Sequence, residues 1–200
     1  MAQQENIHPI FDRTLSVEDK EQFLNQKAQV IWLTGLSGSG KSTIAIELEK
    51  ELHQKGILTQ LLDGDNIRSG INNNLGFSED DRLENIRRIA EVSKLFLNCG
   101  IVTINSFVSP TKDVRDLARS IIGEKNYYEI YIKASVEACE KRDVKGLYAK
   151  ARRGEIKNFT GISAPFDIPD KCQLIVDTEV LSVEESVKEI LKNILPIIKY

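Results

Sequence analysis

The sequence predicts one α/β domain in which a five-stranded parallel sheet is covered by helices on both faces. Short apolar runs rich in β-branched residues alternate along the chain with segments whose apolar residues recur at helical spacing. A glycine-rich turn separates the first apolar run from the first long helical segment. The 200 residues fit one domain, and 41% hydrophobic with 28% charged residues is the balance of a globular protein.

The elements follow one another as strands alternating with helices. Strands are predicted at residues 29–34, 58–62, 101–107, 127–134 and 174–177, where apolar runs end at glycine or at polar turns. Helices are predicted at residues 17–26, 41–53, 78–98 and 111–122, around Ala138 and Cys139, and at 183–194. Ser78 is predicted to cap its helix, with Asp81 completing a capping box. Residues 67–77 carry three Asn and two Gly and are predicted to be irregular.

Two polar stretches differ from this alternation. Residues 1–28 are interrupted by Pro9, so we predict an N-terminal arm that precedes a domain at residues 29–200. Residues 143–169 are too long and too polar for a plain connection, and long structured loops in compact domains are usually functional. We predict that this second stretch is a lid over a binding site.

Charge and cysteine content argue against several classes of protein. The net charge of −3 and the pI near 5.6 do not suit a general nucleic-acid binder. No apolar run approaches the ~18 residues of a membrane-spanning helix, and no basic segment followed by an apolar one marks a secretory signal. The three cysteines have no metal or redox spacing, so we expect small core residues in a reducing cytoplasm.

The strongest motif is the glycine-rich turn. It fits the pattern G-x-x-x-x-G-K-[ST] with Gly35, Leu36, Ser37, Gly38, Ser39, Gly40, Lys41 and Ser42, and Thr43 follows. The glycines allow successive N–H groups to point at one phosphate chain, and the next helix adds its positive N-terminus. In this motif the lysine reaches the β- and γ-phosphates, and the serine hydroxyl ligates Mg²⁺. A chance Gly/Ser-rich turn is the alternative, but the preceding strand and following helix favour an ATP site.

Other residues favour a small-molecule kinase among nucleotide-binding proteins. The chain has no N-K-x-D guanine motif, and the third predicted strand does not end in the acid that a motor ATPase needs. Asp63 and Asp65 follow the second strand instead, and basic residues such as Lys145 lie in the predicted lid. An acid can orient or deprotonate an acceptor hydroxyl while basic side chains hold the transferred phosphoryl group. The alternatives are a capped turn and a solvated loop.

Further positions are candidates for a second substrate. Arg68 follows the acids, and Arg82 and Asn85 lie three residues apart on the long helix. Phe77 lies in a polar loop, where an aromatic ring is either a hydrophobic anchor or a platform for a base. Ser109 follows the third strand and either contacts a substrate or caps the next helix; the sequence by itself favours the cap.

Six segments of the sequence resemble those of adenylylsulfate (APS) kinases. The match is carried by GLSGSGKST (35–43), LDGDNIR (62–68), LGFSEDDRLENIRRIAEV (75–92), FVSP (107–110), RDVKGLY (142–148) and KARRGEIKNFTGI (150–162), in the family's order and spacing. The resemblance implies the reaction ATP + adenosine 5′-phosphosulfate → ADP + 3′-phosphoadenosine 5′-phosphosulfate, within sulfate assimilation. It also implies an adenylate-kinase-like P-loop fold, Mg²⁺ dependence and a homodimer.

The resemblance also implies a role for each motif residue. ATP would be held by Gly35, Leu36, Ser37, Gly38, Ser39, Gly40, Lys41, Ser42, Thr43 and Arg142, with Lys41 catalytic and with Ser42 and Asp65 on the metal. Asp63 and Asp65 would face the 3′-hydroxyl, with Asp65 in the base-like role. APS would be held by Asp65, Arg68, Phe77, Arg82, Asn85, Val108, Ser109, Lys145, Asn158 and Phe159, with Phe77 and Phe159 on either side of its adenine. Ser109 is also a candidate phosphoserine intermediate.

Three positions depart from the family's pattern. Ser163 stands where an acid is usual, Ala149 where a lysine is usual and Asn105 where a threonine is usual. Two other functions are compatible with a P-loop domain. A kinase for a sugar acid or a shikimate-like acceptor would have no base for paired aromatic rings to stack on. A regulatory nucleotide-binding module without turnover would not need the acids that follow the second strand.

Overall fold

Five apolar segments form one parallel sheet in the computed structural model, which describes residues 7–200. The strands are β1 (Val30–Thr34), β2 (Thr59–Asp63), β3 (Val102–Ser106), β4 (Tyr127–Lys133) and β5 (Leu174–Asp177), in the spatial order β2-β3-β1-β4-β5. Every residue of β1 and β3 is buried, as expected for inner strands of a sheet that is covered on both faces. The predicted fold class is therefore confirmed. The first six residues of the predicted arm lie outside the described residues.

Helices cover both faces of the sheet. Those of the described chain are α1 (Val17–Leu24), α2 (Lys41–Gln54), α3 (Gly64–Ser69), α4 (Glu79–Leu97), α5 (Lys112–Ile122), α6 (Val136–Arg142), α7 (Leu147–Arg152) and α8 (Val183–Ile198). On one face, Leu48 of α2 and Ile190 of α8 belong to the core packed against the sheet. On the other face, Ile89 of α4 and Ala118 of α5 belong to the core around Trp32. None of the helices within residues 7–200 combines the length and apolarity needed to cross a bilayer.

Three helices differ from the sequence-based prediction. Helix α3 stands where a polar turn and an irregular segment were expected, because the Asp63 carboxylate caps its N-terminus. Helix α7 lies inside the predicted lid, where the Asp143 carboxylate accepts backbone N–H groups of its first turn. Helix α8 continues past Pro196, which lacks an N–H donor, because its last residue, Ile198, is fully buried in the core.

Two smaller predictions have mixed outcomes. Ser78 caps α4 by accepting the N–H of Asp81, but the Asp81 carboxylate accepts the Ser78 hydroxyl and not the backbone N–H of a capping box. Cys139 is buried as expected. Cys99 is exposed, because it lies in the turn between α4 and β3, so the prediction of a core cysteine is wrong there.

The described part of the N-terminal segment packs against the rest of the fold. The Gln26 side-chain amide is fully buried; it donates to the carbonyls of Leu58 and Gly100 and accepts the N–H of Leu58. The Glu21 carboxylate accepts the N–H of Ala28. These side-chain hydrogen bonds add to backbone pairing at the edge of the domain, where the Lys27 N–H donates to the Ile198 carbonyl at 2.7 Å. The division of the chain at residue 28 stays a prediction.

Candidate active site

The glycine-rich turn at residues 35–42, here called the P-loop, connects the carboxyl end of β1 to the N-terminus of α2. Gly35 has φ +153°, and a Cβ there would lie 2.5 Å from the Ile132 carbonyl oxygen. Gly38 has φ +79°, and a Cβ there would approach the Cys139 carbonyl to 3.1 Å. Glycine is therefore required at Gly35 by the space available and is favoured at Gly38 by the positive φ and the tight contact. This close approach turns the loop back over β4 and α6, in front of the first turn of α2.

Lys41 is the buried charge of this loop. It is only 7% exposed, and its Nζ donates to the Leu36 carbonyl at 2.7 Å. Burial lowers the pKa of Lys41 to about 8, although the nearby Cys139 and Asp63 oppose the shift. The amine is thus held against the P-loop backbone with little water, where its charge acts strongly on a bound phosphate.

A small cluster of oxygen atoms lies next to Lys41. The Ser42 hydroxyl donates to the Asp63 carboxylate at 2.7 Å and lies 3.4 Å from the Ser106 hydroxyl. Asp63 and Ser106 are register partners at the carboxyl ends of β2 and β3, which explains why they meet. Hydroxyl and carboxylate oxygens are ligands that suit Mg²⁺. The family resemblance implies that Ser42 and Asp65 hold the metal. In this structure the Ser42 hydroxyl is hydrogen-bonded to the Asp63 carboxylate.

Asp65 faces residues 143–169, the segment that the sequence analysis predicts to be a lid. Its carboxylate forms an ion pair with Lys145, which lies 80 positions later in the chain. Arg68, on the same short helix, donates to the carbonyls of Leu75 and Gly76 at 3.1 and 2.9 Å. Burial lowers the pKa of Arg68. An acid that follows β2, Asp65, and a basic residue of the predicted lid are therefore adjacent, as in a phosphoryl-transfer site.

Arg82 joins the loop before α4 to the lid. Its guanidinium donates to the carbonyls of Phe77 and Asn158 at 3.0 and 2.6 Å and to the Thr160 hydroxyl at 3.1 Å. Burial, followed by the charge of Arg68, lowers its pKa. Arg82 thus has a structural role beyond any contact with a substrate.

The predicted aromatic pair borders this region. The Phe77 side chain is 61% exposed, and the Arg68 guanidinium lies 4.4 Å from its ring centroid. Phe159 packs edge-on against Tyr148, with ring centroids 4.9 Å apart. Asn85 is buried, and its side-chain oxygen accepts a hydrogen bond from Asn72 at 2.9 Å. Because Phe77 is largely exposed, its ring is open to a stacking partner.

Ser109 is held in an unusual backbone conformation. It is buried with φ +43°, in the left-handed region that non-glycine residues seldom adopt. Its hydroxyl accepts the Trp32 indole N–H at 2.9 Å, and the Trp32 ring packs against Phe107. Thr111, not Ser109, is the N-cap residue of α5. The helix-cap alternative that sequence alone favoured for Ser109 is therefore wrong.

Arg142 closes the other end of the P-loop. Its guanidinium donates to the Thr178 carbonyl at 2.7 Å, to the Thr178 hydroxyl at 3.0 Å and to the Gly38 carbonyl at 3.3 Å. The Thr178 hydroxyl in turn donates to the Ser39 carbonyl at 2.9 Å. The Tyr148 hydroxyl donates to the Ser37 carbonyl at 2.8 Å. The backbone of the loop is thus fixed from three directions.

Sequence reasoning missed three residues of this site: Ser106, Thr178 and Tyr148. Ser106 and Thr178 stand at or just after the carboxyl ends of β3 and β5, the edge where α/β sheets bind ligands. A search for polar side chains at the end of every predicted strand would have found both. Tyr148 carries no such signal, because its contact with Ser37 spans 111 positions.

One cavity joins most of the predicted residues. Its volume is about 850 Å³, within the ~300–1,000 Å³ range of small-molecule sites. Every residue predicted for the site lines it except Gly35, Leu36, Ser39 and Asn158. Of these four, Leu36 and Asn158 bind cavity residues through their carbonyls, which accept from Lys41 and Arg82. The P-loop, the acids after β2, the loop before α4 and the lid therefore face one space.

Comparison with known proteins identifies the family. The profile described as adenylylsulphate kinase matches residues 27–177. The chain belongs to the adenylylsulphate kinase family. It is 63% identical to the adenylyl-sulfate kinase of Bacteroides thetaiotaomicron over 98% of both chains, and 54% identical to that of Clostridium kluyveri over 87% of both. The expected family and kinase class are thus confirmed.

A solved member of the adenylylsulphate kinase family has the same fold. It is the Mycobacterium tuberculosis APS kinase CysC in complex with AMPPNP and APS, which superposes with a TM-score of 0.80 at 42% identity. The match covers 83% of this chain and 96% of that one. The roles of individual residues stay predictions.

Proposed function

We propose that this kinase transfers the γ-phosphoryl group of ATP to the ribose 3′-hydroxyl of adenosine 5′-phosphosulfate, with release of ADP. The observation that carries the proposal is the single cavity that joins the P-loop to Asp65, Arg68 and Phe77. Membership of the family, and similarity to a relative solved with AMPPNP and APS, support these two nucleotides as the ligands.

On the donor side, the N–H groups of the P-loop and the N-terminus of α2 would bind the phosphates of ATP. Lys41 would stabilise the charge that develops on the γ-phosphoryl oxygens, because its ammonium is already fixed beside the loop. Arg142, held by Thr178, would border the base of ATP. These groups orient the γ-phosphoryl group toward the acids after β2.

The oxygen cluster of Ser42 and Asp63 fits Mg²⁺. The two oxygen atoms lie 2.7 Å apart, and Mg²⁺ prefers a few hard oxygen ligands together with water. We propose that these two residues hold the ion, which revises the Ser42–Asp65 pair expected from the sequence. When bound, Mg²⁺ neutralises charge on the phosphate oxygens.

On the acceptor side, Asp65 would accept a hydrogen bond from the 3′-hydroxyl and orient it for in-line attack. Lys145, its partner in this structure, would remain beside the transferred group as charge develops. Arg68 and Arg82 supply positive charge for the phosphosulfate, and Phe77 and Phe159 supply aromatic faces for the adenine. Val108 and Ser109 would complete the wall of this subsite.

We also propose that the protein is a homodimer in the cytoplasm. Apolar side chains at and beside α1 support a subunit interface, because Phe23 is 88% exposed and Leu15 is 70% exposed. The free cysteines suit a reducing compartment. Light scattering should give twice the chain mass of 22.6 kDa, and a mass equal to one chain would contradict the dimer.

An acceptor panel tests the reaction. The protein is incubated with ATP and Mg²⁺ and with APS, gluconate, shikimate or no acceptor, and ADP release is followed. We expect rapid ADP release with APS, and ³¹P NMR should place the new phosphate on the 3′-oxygen. Turnover only with gluconate or shikimate would favour the small-metabolite kinase, and nucleotide binding without turnover would favour the regulatory module.

A further inference from the structure

A group of buried charges lies beneath the Ser109 loop, outside the cavity. We call it the buried ion cluster; it consists of Arg115 and Arg119 on α5 and Glu129 on β4. The Arg115 Nε atom lies 3.1 Å from one Glu129 oxygen, and an Arg119 Nη atom lies 2.5 Å from the other. The side chains of Arg115 and Glu129 are 4% and 2% exposed.

Stability alone is a poor explanation for this cluster. The cost of removing charges from water largely cancels the attraction within a buried ion pair, and apolar replacements are often neutral or stabilising. None of the three residues lines the large cavity. The cluster is therefore better explained by the groups that its charged side chains hold in place.

The cluster reaches the active site through Arg115. Its Nη1 atom donates to the Ser109 carbonyl at 3.0 Å, while its Nε atom faces Glu129. Arg119 forms an ion pair with the same carboxylate and makes no described contact with Ser109. The two arginines thus share one anion, but one of them alone fixes the loop of the substrate cavity.

The backbone conformation of Ser109 requires support from neighbouring residues. Its left-handed backbone, at φ +43°, is disfavoured for a residue with a side chain. Its carbonyl is held from below by Arg115, and its hydroxyl is held from β1 by Trp32. The neighbouring Val108 carbonyl accepts the Thr34 hydroxyl at 2.8 Å. Without the guanidinium, the Ser109 carbonyl loses its shorter hydrogen bond and keeps only the Thr34 hydroxyl at 3.4 Å, so the wall of the cavity is held less firmly.

We propose that Arg115 is a positioning residue for the acceptor subsite: oriented by Glu129, it holds the Ser109 carbonyl and so sets the wall that contacts the sulfated nucleotide. This inference rests on the proposed function, since it assumes that APS binds against Val108 and Ser109. Arg115 touches no substrate itself. Its loss should raise the KM for APS far more than the KM for ATP, because no described hydrogen bond or ion pair joins the cluster to the P-loop, which meets the Ser109 loop only through the Gly35 N–H and the Val108 carbonyl at 3.4 Å.

The test compares two charge-conserving variants, Arg115→Lys and Arg119→Lys. Both keep a cation beside Glu129, but only the first loses the bond to the Ser109 carbonyl. For Arg115→Lys we expect the KM for APS to rise about tenfold or more, as for one lost charge-assisted hydrogen bond, with the KM for ATP within about twofold of wild type. Arg119→Lys should leave both constants near wild type.

A third variant keeps the proposal testable if Arg115→Lys does not fold. In Arg115→Met/Arg119→Met/Glu129→Met the whole cluster becomes apolar, a change that usually preserves stability. We expect a cooperatively folded protein whose KM for APS is still raised about tenfold. A purely structural role predicts a change in thermal stability without this separation of the two KM values.

Each outcome decides the proposal. It is overturned if Arg115→Lys leaves the KM for APS unchanged, if both lysine variants change it equally, or if the constants for ATP and APS rise together. If Arg115→Lys does not fold, a normal KM for APS in the triple variant overturns it. Absence of APS turnover in the wild-type protein would instead contradict the proposed function.

Discussion

Replacing Lys41 with methionine should stabilise the ligand-free fold and greatly reduce its turnover. The pKa of the Lys41 ammonium lies at about 8 in the fold against an ordinary 10.5, because the amine is buried. At about 1.4 kcal/mol per pH unit, holding the protonated amine in this site costs on the order of 3 kcal/mol. Methionine has a similar length and carries no charge, so the variant avoids this cost. The Leu36 carbonyl keeps a partner, since it also accepts the Ser39 N–H at 3.1 Å.

The pH dependence has a definite sign. Below pH 8 the amine is protonated in both the folded and the unfolded chain, so the folded protein bears the whole desolvation cost. Between pH 8 and 10.5 the folded amine loses its proton while the unfolded one keeps it, and the cost disappears. The stability advantage of Lys41→Met should therefore be full at pH 7 and should shrink as the pH rises through this interval.

Urea denaturation followed by circular dichroism measures this difference at pH 7 and at pH 10. Lys50→Met is the matched control, because Lys50 lies on the same helix with its side chain 59% exposed, and the change should stay within about 0.5 kcal/mol. Turnover of Lys41→Met should fall on the order of 10²-fold or more. A variant that is less stable than wild type at pH 7, or an advantage of equal size at both pH values, would refute the reasoning.

Three more predictions test other parts of the site. Phe77→Ala should raise the KM for APS about tenfold through loss of roughly 1–3 kcal/mol of stacking, with ATP unaffected; equal weakening of both nucleotides would show that the ring serves another subsite. Ser109→Ala should keep substantial turnover, and ATP with a chiral γ-phosphate should react with inversion, as one in-line step requires; retention of configuration with a dead variant would establish a phosphoserine intermediate. Gly35→Ala should cost more than about 2 kcal/mol in urea denaturation, since its Cβ would lie 2.5 Å from the Ile132 oxygen. Gly154→Ala, with open space around the added methyl group, is the control, and equal losses would contradict the steric argument.

The parts of the fold that sequence predicts well are those set by local patterns. The strand at Leu174–Asp177 was predicted with its observed bounds, and the P-loop was located because its glycines meet a backbone requirement that no other residue satisfies. Helix α3 was missed because its formation depends on a cap from Asp63, a residue that equally suits a turn.

The site itself needed tertiary information. The partner of Asp65 is Lys145, and the partner of Ser42 is Asp63; both contacts join residues that are far apart in the chain, and they form only when the fold brings these segments together. The sequence alone does not reveal these contacts, so the resemblance could name Asp65 as a metal ligand without showing that Asp63 is the acid beside Ser42. The sequence analysis made no prediction for Arg115, which the fold buries beside Glu129 of β4.

The position of Trp32 gives the protein a built-in optical reporter. It is the chain's one tryptophan, and its indole is hydrogen-bonded to the Ser109 hydroxyl and packed against Phe107 and Tyr127. Indole emission depends on the polarity and hydrogen bonding of its surroundings, so a ligand that displaces the Ser109 loop changes the intrinsic fluorescence of the whole chain. Under the proposed function, APS bound against Ser109 should therefore change the emission of the unlabelled protein.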